Sequence, residues 1–140
     1  TGFAMTRHSN NRDYWVNYRL ADTNIHVSRL VNSAGIGPPI YSLIGLNRSV
    51  ITGNNTSGRK FSPDGQKLVN CHNYYNAVEV FSFNNSTGVL SNNYLLNLPL
   101  FLTNYNNSTI GPISSQFSPD LSKLYITAGI ALIQYDFSSG

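Results

Sequence analysis

The sequence predicts an all-β protein built from repeated units of four antiparallel strands. Residues 61–65, FSPDG, return almost unchanged as residues 117–121, FSPDL. Each copy is followed by a short stretch in which polar and apolar residues roughly alternate, a pattern typical of a half-buried strand. No stretch keeps a helical spacing of apolar residues over about ten positions. We therefore expect almost no helix.

Residues 61–65 have the composition of a tight turn between two strands. Pro63 presets φ for the first central position of the turn, Asp64 can bond nearby backbone amides, and Gly65 accepts a positive φ. The second copy has Leu121 in place of the glycine. Because leucine is strained in the left-handed conformation, we expect that turn to use a different geometry.

The repeat extends over the whole chain. A shift of about 53 residues aligns residues 8–17, HSNNRDYWVN, on residues 61–70, FSPDGQKLVN, and a third copy follows at a similar spacing. The middle copy predicts a first strand that ends near Phe61 and three later strands, at about residues 67–71, 78–83 and 90–98. Residues 84–88, NNSTG, are predicted to form the last turn.

A unit of four antiparallel strands that recurs at this length is the blade of a β-propeller. We predict a partial propeller over residues 1–140, with blades at about 1–50 and 51–102 and an incomplete third blade at about 103–140. A sandwich of short strands is the alternative, but it gives no reason for one turn to recur at a fixed spacing. Since a closed propeller needs about four to eight blades, further blades from the parent chain or a partner chain are expected to complete it.

Composition limits the classes of partner. Of the 140 residues, 41% are hydrophobic and 12% aromatic, which suits one domain with a core. The net charge of +3 comes from basic residues spread along the chain, and without a basic stripe we expect no nucleic-acid partner. No apolar run approaches the length of a membrane span. The single cysteine, Cys71, lies in an apolar strand and is expected to be a buried, unreactive thiol.

Two motifs resemble a known family. FSPDGQKL at residues 61–68 and NNSTGVLSN at residues 84–92 are similar to the WD40-like propeller region of large secreted proteins of gliding Bacteroidetes, and HSNNRDYWV at residues 8–16 resembles that family's first blade. Such proteins often end in a gliding-motility-associated sorting domain for type IX secretion. The resemblance implies an extracellular or cell-surface location, associated with the outer membrane. It places no catalytic residue in this chain, and the FSPDG core is shared with lactonase-like, TolB-like and peptidase propellers.

The chemically reactive residues do not converge on a predicted catalytic site. Asp64 and Asp120 fall at equivalent turn positions, where bonding to the local backbone is expected. The histidines His8, His26 and His72 occupy three different repeat positions, which favours structural or surface roles. The remaining acids, Asp13, Asp22, Glu79 and Asp136, show neither a catalytic pairing nor metal-ligand spacing. The sequence therefore predicts no catalytic residue, no metal ligand and no cofactor.

Binding is the function that the sequence favours. In a propeller, the loops between second and third strands lie on the same face as the connections between blades. Here these segments place tyrosine beside asparagine, which supplies ring area for stacking and amide groups for paired hydrogen bonds. The candidate ligand-binding residues are His72, Asn73, Tyr74, Tyr75, Asn76, Asn104, Tyr105 and Asn106.

The leading hypothesis is a non-catalytic scaffold or interaction module of a larger secreted or cell-surface protein, which binds a protein or a glycan through these loops. The alternative is part of a lactonase-like or hydrolase propeller enzyme with its site at the propeller axis. A metal held by acids from several blades would favour that alternative.

Overall fold

The computed structural model of the chain describes residues 2–47, 58–73, 75–98 and 111–137. Within these ranges it contains eleven strands and no helix. The strands form three separate antiparallel sheets of four, four and three strands. The prediction of an all-β protein with repeated antiparallel units is confirmed.

In each sheet the neighbouring strands follow one another in the chain. The first sheet contains β1 (Phe3–Arg7), β2 (Tyr14–Arg19), β3 (Ile25–Asn32) and β4 (Gly35–Leu43). The second contains β5 (Arg59–Phe61), β6 (Lys67–His72), β7 (Ala77–Asn84) and β8 (Val89–Leu95), and the third contains β9 (Pro112–Phe117), β10 (Lys123–Ala128) and β11 (Ala131–Asp136). The second sheet matches the predicted strands closely, except that its last strand ends at Leu95. The blade boundaries predicted near residues 50 and 102 lie outside the described residues and stay predictions.

The recurring turn is closed by a serine and an aspartate. Ser62 Oγ accepts a hydrogen bond from the Lys67 N–H at 2.9 Å and donates one to Asp64 Oδ1 at 2.5 Å, while Asp64 Oδ1 accepts from the Gln66 N–H at 3.1 Å. The second copy repeats these bonds with Ser118, Asp120, Ser122 and Lys123. The prediction that both aspartates bond their own turns is confirmed.

The expectation of a different geometry at Leu121 is wrong. Its φ is 63°, close to the 69° of Gly65 and the 59° of Asn11 in the first sheet. The Leu121 N–H donates to the carbonyl of Ser118 at 3.1 Å, as the Gly65 N–H donates to that of Ser62 at 2.9 Å. The hydrogen bonds of the turn therefore impose the left-handed conformation on leucine despite its steric cost.

The first hairpin is shifted by one residue relative to the predicted alignment. The His8 N–H donates to the Asp13 carbonyl at 2.9 Å, just as the Ser62 N–H donates to the Lys67 carbonyl at 2.9 Å. His8 is thus the counterpart of Ser62 and not, as predicted, of Phe61. The physical reason is that turn hydrogen bonds set the register of a hairpin, and the sequence match did not include them.

A shift of one residue reverses which side chains share a face of the sheet. Trp15 becomes the counterpart of Val69, and both face the sheet that follows in the chain. The Trp15 ring meets Phe83 edge-on with ring centroids 6.2 Å apart. Its indole N–H donates to the carbonyl of Asn85 at 2.9 Å. Trp15 therefore joins the first sheet to the second.

The second sheet is buried on both faces. One core lies between it and the first sheet, and another lies between it and the third. The first strands of the three sheets are neighbours, since β1 contacts β5 and β5 contacts β9, while β4 contacts β8 at the other edge. The buried members of the first core are Ala4, Trp15, Phe61, Leu68, Phe81, Phe83 and Leu90. Those of the second are Val69, Cys71, Val78, Val80, Leu96, Leu98, Phe117, Leu124 and Ile126.

Replacement of Leu121 by asparagine should stabilise the protein. A left-handed conformation costs most residues that carry a Cβ atom about 1–2 kcal/mol, whereas asparagine adopts it more readily and already occupies the equivalent position as Asn11. We expect Leu121→Asn to raise the free energy of unfolding by about 1 kcal/mol, measured by chemical denaturation. Leu121→Ala is the control, because alanine keeps the steric conflict. Equal stability of the two variants would contradict this account of the turn.

Candidate functional site

The predicted loop surface lies at the end of the second sheet. The loop between β6 and β7 is closed by a hydrogen bond in which the Asn76 N–H donates to the carbonyl of Asn73 at 3.2 Å. Gly111, just before β9, packs so closely that a Cβ there would lie 1.8 Å from the Asn73 oxygen. The structure thus brings Asn73, Tyr75 and Asn76 next to the entry into the third sheet, and all three are partly exposed. Tyr74, Asn104, Tyr105 and Asn106 lie outside the described residues.

His72 is not part of the exposed loop, contrary to the prediction. It is the last residue of β6 and is fully buried. Alternation along β6 turns its side chain toward the first sheet, where Nε2 lies 2.6 Å from Glu79 Oε2. Tyr75 covers it from the loop side, with ring centroids 6.5 Å apart. His72 therefore belongs to the interior.

Glu79 ties the second sheet to the chain that leaves the first. Its Oε1 accepts a hydrogen bond from the Leu46 N–H at 2.9 Å and one from Asn93 Nδ2 at 3.4 Å. Gly45 packs against the same oxygen, and a Cβ there would lie 2.8 Å from it. A buried carboxylate needs hydrogen-bonding partners to offset its lost hydration. Leu46, Asn93 and His72 supply these contacts.

A second set of buried polar groups lies in the same interface. Arg59 Nη2 donates to Asn17 Oδ1 and lies 3.0 Å from His26 Nδ1, and Asn17 Nδ2 donates to Ser28 Oγ at 2.8 Å. Arg19 is buried nearby, and its burial lowers the pKa of the guanidinium, while the Glu79 carboxylate acts in the opposite direction. These groups extend the polar part of the interface.

The polar interface has the character of a structural network, although some of its buried polar atoms, such as Arg19 Nη1, Asn70 Oδ1 and His72 Nδ1, have no hydrogen-bond partner. The described residues contain no group of three or more His, Cys, Asp or Glu side chains placed to hold a metal ion. Sequence reasoning missed this network because it compared equivalent positions of different repeats. The available signal was the polar pair Asn70 and His72, two residues apart in an otherwise apolar strand.

A separate open cavity lies where the first strands of the three sheets meet. Its volume is about 630 Å³, and each of the three sheets contributes to its lining. Thr6, Arg7 and Tyr14 come from the first sheet, Lys60 from the second and Gln116 from the third. The residues that line this cavity are far apart in the chain, so no local sequence pattern indicates it.

Comparison with solved structures finds β-propeller proteins. The chain resembles a chain of the hydrazine synthase of Kuenenia stuttgartiensis, with a TM-score of 0.52 and 16% identity over 97% of this chain and 34% of that one. It also resembles the luciferin-regenerating enzyme, with a TM-score of 0.52 and 12% identity over 96% of this chain and 41% of that one. The chain thus spans less than half of each. Neither protein-family models nor curated proteins give a match.

At these identities the likeness establishes the fold alone. Together with the three stacked sheets it shows that the chain is part of a β-propeller, in which each sheet is a blade. In the part of the chain that the structure covers, no helix is both long and apolar enough for a membrane span.

Removal of the Glu79 charge should destabilise the contact between the first two blades. Glu79→Gln keeps an acceptor for Leu46 but removes the partner of His72, and loss of one member of a buried ion pair costs about 3 kcal/mol. Asp136→Asn is the control, since Asp136 pairs with Lys123 at 3.2 Å where both side chains are one-third exposed. That change should cost less than about 1 kcal/mol. If chemical denaturation shows that both variants lose a similar amount of free energy of unfolding, the buried Glu79 does not stabilise the contact between the blades.

Alkaline pH should reveal the burial of Cys71. Burial raises the pKa of this thiol to about 11, above the value of about 8.5 for an exposed cysteine. The unfolded chain then loses the proton first, so the stabilising contribution is complete below about pH 8.5 and is lost as the pH rises toward 11. Relative to a Cys71→Ala variant, the free energy of unfolding should fall by about 2–3 kcal/mol over this range. Parallel pH profiles for the two proteins would refute the effect.

Proposed function

We propose that this chain is a non-catalytic interaction module of a larger protein and that it binds a protein or glycan partner through the loop surface of the second blade. This surface consists of Asn73, Tyr75 and Asn76 together with the adjoining Gly111. The single observation that supports the proposal is the close contact of Gly111 with Asn73. It joins the loop of one blade to the connection that enters the next.

The chemistry of this surface suits a flat polar partner. Tyr75 offers a ring of low conformational entropy, and the side-chain amide of Asn73 offers a donor and an acceptor beside it. The ring keeps its position because it rests against the buried His72. A preorganised ring of this kind lowers the entropic cost of binding.

The outer face of the first blade supports a place within a larger propeller. Phe3, Tyr18, Val27 and Tyr41 are paired in register across its four strands and share that face, and Phe3 and Tyr41 are 65% and 62% exposed. The corresponding faces of the second and third blades are covered by the preceding blade. We infer that a further blade, from the parent chain or a partner chain, covers this one as well.

An extracellular or cell-surface location, associated with the outer membrane, is also part of the proposal. It rests on the resemblance of the turn motifs and the first hairpin to the WD40-like propellers of type IX secretion and gliding motility. The fold itself is compatible with many locations and functions.

The loop surface can be tested with a panel of immobilised glycans. Tyr75→Ser removes the stacking ring and should reduce binding by about tenfold, in line with the energy of an aromatic contact. Tyr41→Ser is the control, since it removes an exposed tyrosine from another strand. Circular dichroism and thermal melting establish that both variants are folded. Equal binding by the two variants, or none by the unaltered protein, would refute glycan binding at this surface.

A further inference from the structure

A buried histidine stands in the contact between the first two blades. His26 lies on β3, is 1% exposed, and shares the face toward the second blade with Asn17 and Arg19. Its Nδ1 atom lies 3.0 Å from Nη2 of Arg59, which belongs to β5 of the second blade. The ring of Phe81 covers the imidazole, with ring centroids 4.9 Å apart. His26 therefore contacts the second blade through both a cation and an aromatic ring.

The hydrogen bond to Arg59 requires a neutral imidazole. A guanidinium has donors and no acceptor, so His26 Nδ1 is the acceptor and carries no proton. The same Arg59 Nη2 also donates to Asn17 Oδ1, and Asn17 Nδ2 donates in turn to Ser28 Oγ at 2.8 Å. The two acceptors together fix the position of the guanidinium. A proton added to His26 Nδ1 would remove one acceptor and place two cations at hydrogen-bond distance.

The charged groups around His26 come from several elements of both blades. Among the residues that the structure describes, the titratable groups beside it are Arg19 of β2, Asp22 of the turn after β2, Arg59 of β5, His72 of β6, Tyr75 of the loop after β6 and Glu79 of β7. The sides of β1, β4 and β8 that face this interface carry none. Arg19 is directly opposite His26 in the strand ladder, where a second cation is destabilising. Glu79 is bonded to His72 and to the Leu46 N–H. The hydrogen bonds and the ladder thus place two cations next to His26.

Burial and charge both oppose a proton on His26. Burial disfavours the charged form of a histidine and nearby cations disfavour it further, so both effects lower its pKa below the ordinary value of about 6.5. Attraction between an imidazolium and the Phe81 ring acts in the opposite direction, but it is weaker than repulsion between two cations at hydrogen-bond distance. The unfolded chain therefore binds this proton first. The stabilising contribution is complete above the pKa of the unfolded chain and is lost as the pH falls from there toward the lower pKa of the folded state.

We propose that His26 makes the contact between the first two blades sensitive to pH, firm at neutral pH and weakened by acid. The neutral ring holds Arg59 in place, and protonation breaks that bond and drives the two side chains apart. His72 in the same interface acts in the opposite direction, because its partner is the Glu79 carboxylate at 2.6 Å, which favours a protonated ring. The proposal concerns the contact between blades, so it can succeed or fail independently of binding at the loop surface.

Nuclear magnetic resonance can follow the titration of His26 directly in the unaltered protein. We expect the midpoint to lie below the ordinary value of about 6.5. Arg59→Gln removes the adjacent charge and should move the midpoint upward, toward that value. Lys60→Gln is the matched control, because Lys60 is the next residue along β5 but turns to the opposite face and is exposed. A midpoint of the unaltered protein at or above about 6.5, or equal midpoints in the two variants, would overturn the proposal.

Chemical denaturation of the unaltered protein and of a His26→Gln variant tests the effect on stability. Glutamine keeps an acceptor for Arg59 but does not titrate. We expect the unfolding equilibrium constant of the unaltered protein, divided by that of the variant, to rise about tenfold between about pH 7.5 and pH 5.5, because an unfolded histidine gains its proton over this range. The contribution of His72 is present in both proteins and cancels in the ratio. A ratio that stays constant over this range would refute the role of His26.

Discussion

The contact between Trp15 and Gly88 is the constraint on which the arrangement of the first two blades depends. The indole ring crosses from the first blade to the second and lies so close to Gly88 that a Cβ there would be 2.6 Å from the ring. Gly88 also has a φ of 78°, which closes the turn after β7. Because glycine has no side chain, Gly88 can adopt the positive φ of the turn and also leave room for the ring of Trp15. The hydrogen bond from the indole N–H to Asn85 then fixes the orientation of the ring, and with it the register of one blade on the next.

Two kinds of interface hold neighbouring blades together. Between the second and third blades the buried cluster is apolar and includes Cys71, and the buried hydroxyl of Ser115 lies beside that thiol. Between the first and second blades an apolar part around Phe81 continues into the polar part around Glu79. Burial of charged groups adds little net stability, but it penalises any packing in which a charge loses its partner. The polar part therefore selects one geometry for this pair of blades, which apolar contacts alone would define less sharply.

Much of the fold could be predicted from sequence, because the repeated turn motif and the alternation of polar and apolar residues indicate the strands directly. The strands around Phe61 and the local role of Asp64 are examples. The first hairpin was aligned one residue out of register. Its turn, at His8, has the same hydrogen bonds as the FSPDG turns but different residues. Leu121 was misjudged because intrinsic preference was weighed without the turn bonds that override it. His72 was assigned to a loop since its burial depends on a partner, Glu79, on a neighbouring strand. The errors at His8 and Leu121 concern hydrogen bonds within a turn, and the error at His72 concerns a contact with the neighbouring strand.

The repeats also separate positions that serve the fold from positions that do not. Asn11, Gly65 and Leu121 differ in side chain, yet all three adopt one backbone conformation, so variation there carries no functional information. Arg7 and Phe61 also occupy equivalent positions, but here the difference affects packing. It removes an apolar side chain from a core position and exposes a charge. A covering blade would have to accommodate that charge at its inner edge, where the cavity opens. The inner edge is therefore the part of the first blade that packing between blades explains least.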